Sequence, residues 1–171
     1  MQERMLQRSG LLMGALCALV GAAVGQWAAS LASSADWALL PIFSGAASFL
    51  SGWFCWQRLL ARRVLPPGRR AALAGVLAAL LGHYLTFYCY FLWANIEYWI
   101  CNLRSGQPPA DILNGLWGAG VLALWSLLFY GWLTLPVGGL LGAGLLTWLR
   151  RKQPFMREEG KSHAGRSGTE K

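Results

Sequence analysis

Four long apolar stretches, separated by short polar segments, dominate the pattern along the chain. They cover about residues 10–31, 37–60, 71–100 and 112–149. Each exceeds the roughly 20 residues that an α-helix, rising about 1.5 Å per residue, needs to cross a hydrocarbon core of about 30 Å. The pattern therefore predicts one all-α integral membrane bundle of about four transmembrane helices.

The first apolar stretch has a second interpretation as a cleavable signal peptide, because Ser33, Ser34 and Ala35 loosely resemble a cleavage site. The stretch from residue 10 to residue 31 is longer than the roughly 7–15 residues typical of a signal's hydrophobic region. We therefore expect it to remain as the first span. Cleavage would leave the orientation of the other spans unchanged.

The last apolar stretch is too long for one straight crossing, because residues 112–149 would form a helix of about 57 Å. Pro136 and the glycines after it interrupt the stretch. One interpretation is a fourth span to about Leu133, followed by a bent extension. The other is two short spans joined by a turn near residues 131–136. We favour one long helix kinked near Pro136, since the two-span arrangement needs a tight turn with little polar sequence.

The charged residues predict an orientation. Only 13% of the 171 residues are charged, about half the share that is usual in soluble domains, and 56% are hydrophobic. The net charge of +8 does not indicate a nucleic-acid partner, because the basic residues stand at the ends of apolar stretches. In a four-span arrangement, fourteen Lys and Arg lie inside and one, Arg104, lies outside. We expect a multi-pass protein of the cell inner (plasma) membrane, with both termini cytoplasmic and residues 150–171 forming a disordered basic tail.

The sequence contains no motif that carries known enzyme chemistry. There is no H-E-x-x-H, no G-x-S-x-G and no phosphate-binding glycine loop, so we expect no enzymatic activity. The four cysteines form no C-x-x-C, and neither His83 nor His163 stands at ligand spacing from a cysteine. We therefore expect no metal, no cofactor and no disulfide framework, and we interpret the cysteines as small packing residues.

Small residues recur along every span. In a membrane, helices associate through close packing and polar contacts, because lipid tails are as apolar as the side chains. Packing inside one bundle is the interpretation we favour, and homo-oligomerisation through the first span is the alternative. The glycines that we expect at helix contacts are Gly10, Gly14, Gly21, Gly25, Gly75, Gly82, Gly138 and Gly142.

The third span concentrates polar and aromatic side chains. His83, Tyr90 and Glu97 recur every seven residues and so fall on one helix face. Ionisable residues inside a membrane are costly and are candidates for function, so this face could relay protons or bind a polar group. The alternative, which we favour, is that His83 bonds to a neighbouring helix and Glu97 lies in the wet interface.

A second candidate site is a polar patch near the outer ends of the helices. Gln26 and Asn114 lie near the outer ends of their spans, where they can join Asn95 and Glu97. Tyr84 shares a neighbouring stripe of the third span with Asn95. With the deeper residues, the candidate binding residues are His83, Tyr84, Tyr90, Asn95, Glu97, Gln26 and Asn114.

In layout, residues 10–149 resemble the small four-span immunity proteins that protect bacterial inner membranes from pore-forming toxins, including colicin-type toxins. The resemblance consists of the chain length, four spans, ends inside, short outer loops and the lack of a catalytic or transport motif. It implies a protein that binds the toxin's membrane segment within the bilayer and prevents the pore from opening. The partners that it implies are the lipid bilayer and a membrane-inserted toxin.

Two other functions are compatible with the pattern. One is a small transporter or channel subunit, with His83, Tyr90 and Glu97 along its path. Four spans are few for a monomeric transporter, so this function requires an oligomer. The other is an accessory subunit of a larger membrane complex.

Overall fold

The computed structural model describes residues 2–31, 35–61, 67–100, 109 and 111–151, and every element in this part of the chain is helical. Four helical segments are long and apolar enough to cross a membrane, which confirms the predicted all-α bundle. The cytoplasmic location of both ends stays a prediction from the charge pattern. In chain order the elements are α1 (Gln2–Leu31), a 3₁₀ helix (Ala35–Leu39), α2 (Leu40–Ala61), α3 (Pro67–Trp99), α4 (Ile112–Ser126), a π turn (Leu127–Gly131) and α5 (Trp132–Arg151).

The starts of the helices follow local backbone chemistry more than the apolar pattern. α3 begins at Pro67 rather than at residue 71, so the apolar pattern places the start of this helix four residues too late. Proline is favourable in the first helical position, because its missing N–H would have no acceptor within the helix and its φ suits a helix. α1 begins at Gln2, so the polar start of the chain is helical. Asp111 caps the start of α4, since its carboxylate accepts a hydrogen bond from Asn114 N at 2.6 Å.

The last membrane segment is one continuous helix. α4, the π turn and α5 follow one another without interruption over residues 112–151, so the alternative with a turn near residues 131–136 is wrong. The irregularity is the π turn, which ends five residues before Pro136, and the helix continues through the proline. Residues 150 and 151, which we assigned to the disordered tail, belong to α5, and the rest of the predicted tail lies outside the described residues.

The helices pack in chain order. α1 packs along α2, α2 along α3, and α3 contacts both α4 and α5. α1 meets α5 over a short segment and contacts α4 hardly at all. The bundle is therefore an open arc, with α1 as one edge and the last helix as the other. We name one end of the bundle the basic end, because Arg8, Arg58, Arg70 and Arg151 lie there.

Glycines on α1 let its backbone approach α2 closely. A methyl group at Gly14 would lie 2.9 Å from a carbonyl oxygen of α2, and methyl groups at Gly21 or Gly25 would overlap with serine side chains of α2. The hydroxyl of Ser44 uses this closeness to donate a hydrogen bond to the carbonyl of Gly21 at 2.8 Å. Gly10 faces Trp53 in the same way, so the glycine seam of α1 is occupied by α2 within one chain.

Glycines also bring α3 close to its other neighbours. A methyl group at Gly75 would overlap with the carbonyl of Gly138 in α5, and one at Gly142 would overlap with the carbonyl of Ala71. On another face of α3, a methyl group at Gly82 would lie 3.2 Å from a serine hydroxyl of α2. α3 is therefore the central helix, because it packs closely on both sides.

The most tightly packed core lies toward the basic end. Met13, Trp56, Ala71 and Ala74 are completely buried. The indole N–H of Trp56 donates a hydrogen bond to Ser9 Oγ at 3.0 Å, so the one polar atom of this large buried side chain has a partner. α1, α2 and α3 are thus fixed to one another near this end.

Replacement of Gly142 by alanine should destabilise the bundle by about 1–3 kcal/mol, because the added methyl group would force α5 away from the carbonyl of Ala71. Gly144→Ala is the matched control, since nothing lies within 4 Å of a methyl group at that position. Reversible unfolding in mixed detergent micelles, followed by circular dichroism, measures both variants. Equal stability would contradict the close approach of α3 and α5.

Candidate functional site

A cavity of about 510 Å³ extends from the middle of the bundle toward the end opposite the basic end. It is bounded by α1, α2, α3 and the last helix, and most of its wall is aliphatic or aromatic. No Asp, Glu, Lys or Arg of the described residues lines it. Its lining also includes side chains with polar atoms, namely Ser44, Ser48, His83, Thr86, Ser126 and Thr134, together with the aromatic residues Trp37, Trp125 and Tyr130.

The cavity opens sideways, between α1 and the last helix. Leu31 on one edge and Trp125 and Phe129 on the other line the cavity and yet are 68%, 57% and 63% exposed. All three belong to segments long and apolar enough to span a membrane, so the opening would face hydrocarbon rather than water. We name this laterally open cavity the cleft.

One aromatic contact connects the two edges of the cleft. The rings of Trp27 on α1 and Tyr130 in the π turn meet edge to face, with centroids 5.4 Å apart. Such a pair contributes about 0.5–1.5 kcal/mol beyond its buried area. Toward the basic end, Met13 of α1 and Leu145 of α5 belong to the same buried cluster. The cleft is therefore closed by core packing at one end and crossed by a single edge-to-face contact further along.

Aromatic rings also border the cleft at the end opposite the basic end. Tyr90 stacks on Trp37, with ring centroids 5.2 Å apart and planes 10° apart. Phe43 of α2 meets the same tyrosine ring edge-on at 6.2 Å. Because Trp37 lines the cleft, this stack fixes the 3₁₀ helix against α3 and forms the boundary of the cleft.

His83 lines the cleft and bonds to the last helix on both sides of the π turn. Its Nδ1 lies 2.8 Å from Ser126 Oγ, and its Nε2 lies 2.9 Å from Thr134 Oγ1. Thr134 in turn donates a hydrogen bond to the carbonyl of Tyr130 at 3.1 Å. The deepest ionisable residue of α3 therefore joins neighbouring helices, which is the alternative that we favoured.

We infer from the partners of His83 which ring nitrogen carries the proton. The hydroxyl hydrogen of Thr134 is used toward the carbonyl of Tyr130, so Thr134 accepts from Nε2. A neutral ring has one donor and one acceptor nitrogen, so Nδ1 accepts from the hydroxyl of Ser126. A directional chain of hydrogen bonds thus runs from Ser126 through His83 and Thr134 to a backbone carbonyl.

The π turn brings Ser126 and Thr134 to the same face of the last helix. Eight residues along a regular α-helix rotate the side-chain direction by about 80°. A π turn contains one extra residue without the matching rotation, which reduces this offset to about 20°. The indole N–H of Trp132 donates to the carbonyl of Phe129 at 2.8 Å, so the backbone of the π turn is also supported. Irregular turns of this kind are frequent at functional sites.

Of the seven candidate binding residues, His83 is the one that the structure places in the lining of the cleft. Tyr90 borders the cleft through its stack, and Glu97 lies two turns further along α3, partly buried. The hydroxyl of Tyr84 donates to the carbonyl of Leu116 at 3.4 Å, so this side chain connects α3 to α4 outside the cleft.

The residues of the predicted polar patch lie outside the lining of the cleft, and the patch itself stays a prediction. Gln26 is exposed on α1. Asn95 donates to the carbonyl of Phe91 one turn earlier at 2.9 Å, and the side chain of Asn114 donates to Asp111 at 3.2 Å. These two hydrogen bonds are local to α3 and to the start of α4, so they stabilise helix segments.

The described residues contain no group of three or more His, Cys, Asp or Glu side chains that could hold a metal ion. Cys17 and Cys55 are buried free thiols, and Cys89 is a partly buried one. Cys17 contributes to the wall of the cleft and Cys55 to the core beside it. The cleft therefore offers a mainly apolar surface, and the polar side chains around His83 already have partners within the protein. Such a surface is suited to binding an apolar ligand.

Three site residues carry no signal in the sequence pattern: Ser126, Thr134 and Trp37. Helical periodicity places Ser126 and Thr134 on different faces, and only the π turn aligns them. Trp37 stands next to a polar connection, where tryptophan is common at membrane interfaces for reasons unrelated to a site. The sequence feature that indicates an irregular helix in this region is Pro136, because helices often kink near a proline.

Comparison of the chain with protein-family models, with curated proteins and with solved structures finds no match in any of the three. The function is therefore inferred from the geometry and chemistry of the cleft.

Loss of the His83 ring should destabilise the bundle by about 1–3 kcal/mol, because two hydrogen bonds between helices are lost inside a membrane. In a double-mutant cycle, His83→Leu and Thr134→Val should show a coupling of about 0.6–1.7 kcal/mol in detergent unfolding. Thr147→Val is the matched control, since the hydroxyl of Thr147 bonds to Gly144 within α5. A coupling no larger than that of the control pair would contradict the bridge.

Proposed function

We propose that this protein is a membrane-embedded binding protein that receives an apolar helix of another membrane-inserted molecule at the mouth of the cleft. The observation that carries the proposal is the lateral opening between α1 and the last helix, which has no charged side chain in its described lining. Packed helices lie about 8–10 Å apart, so a helix that lies along the mouth would pack against the exposed side chains of both edges.

The edges of the opening carry side chains that suit such a contact. Trp125 and Phe129 stack with centroids 6.0 Å apart and are both exposed at the mouth. Trp27 is exposed on the opposite edge. Large aromatic side chains supply much of the binding energy at protein interfaces, because they bury a large area with little loss of rotamer freedom.

The concrete function that we propose is immunity to a pore-forming toxin in the inner membrane of a bacterium. A toxin helix held between α1 and the last helix would be unable to take its place in a pore. Two observations support this proposal. The four spans resemble the layout of immunity proteins, and the cleft is open toward the bilayer. If the helix at the mouth belonged to a permanent partner protein, this protein would instead be an accessory subunit of a larger membrane complex.

Transport along His83, Tyr90 and Glu97 has less support. Both nitrogens of His83 bond to side chains of the last helix, and the ring of Tyr90 stacks on Trp37. Between these two residues, α3 presents Phe87 to the cleft. A path for protons or ions needs polar groups that contact water or exchange partners, and the lining offers mainly hydrocarbon.

A killing assay tests the proposed immunity function. Bacteria that produce a pore-forming toxin, beginning with any toxin encoded beside this gene, should survive when they also make this protein. Trp125→Ala at the mouth should weaken toxin binding about 30-fold and lower survival, as expected for loss of one central aromatic contact. Trp117→Ala is the matched control, because Trp117 is 81% exposed on α4 and lies outside the lining of the cleft.

Two results of the killing assay would count against the proposal. Equal killing with and without the protein, across the toxins tested, would remove the immunity function. Full protection by Trp125→Ala, at the level of Trp117→Ala and at equal protein abundance in the membrane, would show that the toxin binds elsewhere on the surface.

A further inference from the structure

The cleft is long and narrow. Its lining runs along α1 from Cys17 to Leu31, about 21 Å at 1.5 Å per residue, and along α3 from Gly75 to Phe87, about 18 Å. The volume of about 510 Å³, divided by a length of about 20 Å, gives a mean cross-section of roughly 25 Å². An α-helix with its side chains is about 10–12 Å across and needs roughly 80–110 Å². A partner helix can therefore lie at the mouth, but it cannot fill the interior.

A single hydrocarbon chain has the dimensions of this interior. A methylene group is similar in size to a water molecule, whose share of liquid volume is about 30 Å³, so a cavity of about 510 Å³ has room for at least roughly 17 such groups. With carbon–carbon bonds of about 1.52 Å, an extended chain of 17 carbons is about 21 Å long. The length of the cleft thus suits an unbranched chain of about 16–18 carbons, and the volume of the cleft is sufficient for one such chain.

Most polar side chains of the lining already have a hydrogen-bond partner. His83 bonds to Ser126 and to Thr134, and Ser44 and Thr86 donate their hydroxyl hydrogens to backbone carbonyls, which leaves Ser48 as the remaining serine or threonine of the lining. Water enters a cavity only where it finds two to four polar partners, so apolar space of this kind stays dry. An empty cleft would leave its wall without dispersion contacts, whereas a neighbouring lipid chain would supply them.

We propose that the cleft holds one acyl chain of a bilayer phospholipid in the absence of a protein partner. The chain enters through the lateral opening, and its headgroup stays outside at the end where Leu31 and Trp37 line the cleft. At the other end, the contact of Gly75 with Gly138 stops the chain. We assign the acyl chain to a phospholipid because the opening faces the bilayer, where most acyl chains belong to phospholipids. This proposal goes beyond toxin binding and depends only on the cleft.

Native mass spectrometry tests the proposal on the full-length protein. The probe is a nanodisc of phosphatidylethanolamine and phosphatidylglycerol with 16- and 18-carbon chains, from which the protein is released and stripped of loosely bound lipid. Wild-type protein should retain one phospholipid per chain. Ala28→Trp, inside the cleft, should lower the retained fraction about tenfold, which corresponds to about 1.4 kcal/mol, because the indole ring would occupy space that the chain fills and overpacking costs about that much. Ala23→Trp, on the exposed face of α1, should retain the lipid.

Several outcomes would overturn the proposal. These are no phospholipid on wild-type protein, equal retention by Ala28→Trp and Ala23→Trp, and a free fatty acid or an isoprenoid in place of the phospholipid. Val24→Phe is a second variant within the cleft, for use if size-exclusion chromatography shows that Ala28→Trp does not fold, and it must lower retention too. The mass of the bound lipid is measured without a toxin, so failure here is distinct from failure of the immunity function.

Discussion

His83 bonds to the last helix on both sides of its π turn, and the shape of the half of the bundle away from the basic end depends on this bridge. Ser126 and Thr134 can reach one imidazole ring only because the π turn aligns them. Nearer the basic end, the backbones of Gly75 and Gly138 meet directly. Both contacts attach the last helix to α3, and neither attaches it to α1. The cleft therefore lies between α1 and the last helix.

The membrane explains why such a cleft persists. In water, the hydrophobic effect would favour closure of an apolar gap of this size, because exposed apolar surface is costly. In a bilayer, lipid tails solvate the gap as well as side chains would, so close packing and hydrogen bonds decide where helices meet. The glycine contacts of α1 with α2 and of α3 with α5 are of this kind. Between α1 and the last helix, the edge-to-face contact of Trp27 and Tyr130 is the link at the level of the cleft.

The sequence predicts those features that depend on short stretches of chain. Apolar length predicts the four spans, and Asp111 predicts the start of α4 through its capping hydrogen bond. The pattern misplaces the start of α3, which is Pro67. A proline can stand at the first position of a helix or just after the end of one, and the sequence alone does not distinguish the two cases. The residue spacing also gives no sign of the π turn, so the alignment of Ser126 and Thr134 required the structure.

Nitrogen-15 solid-state NMR of His83 in lipid bilayers tests the bridge most directly. The chain has two histidines, so a variant in which His163 is replaced by glutamine leaves His83 as the single labelled ring. We expect a neutral ring with a protonated Nε2 that contacts Thr134 and an unprotonated Nδ1 that contacts Ser126. A ring protonated at Nδ1, or one that exchanges freely between its two tautomers, would contradict the account.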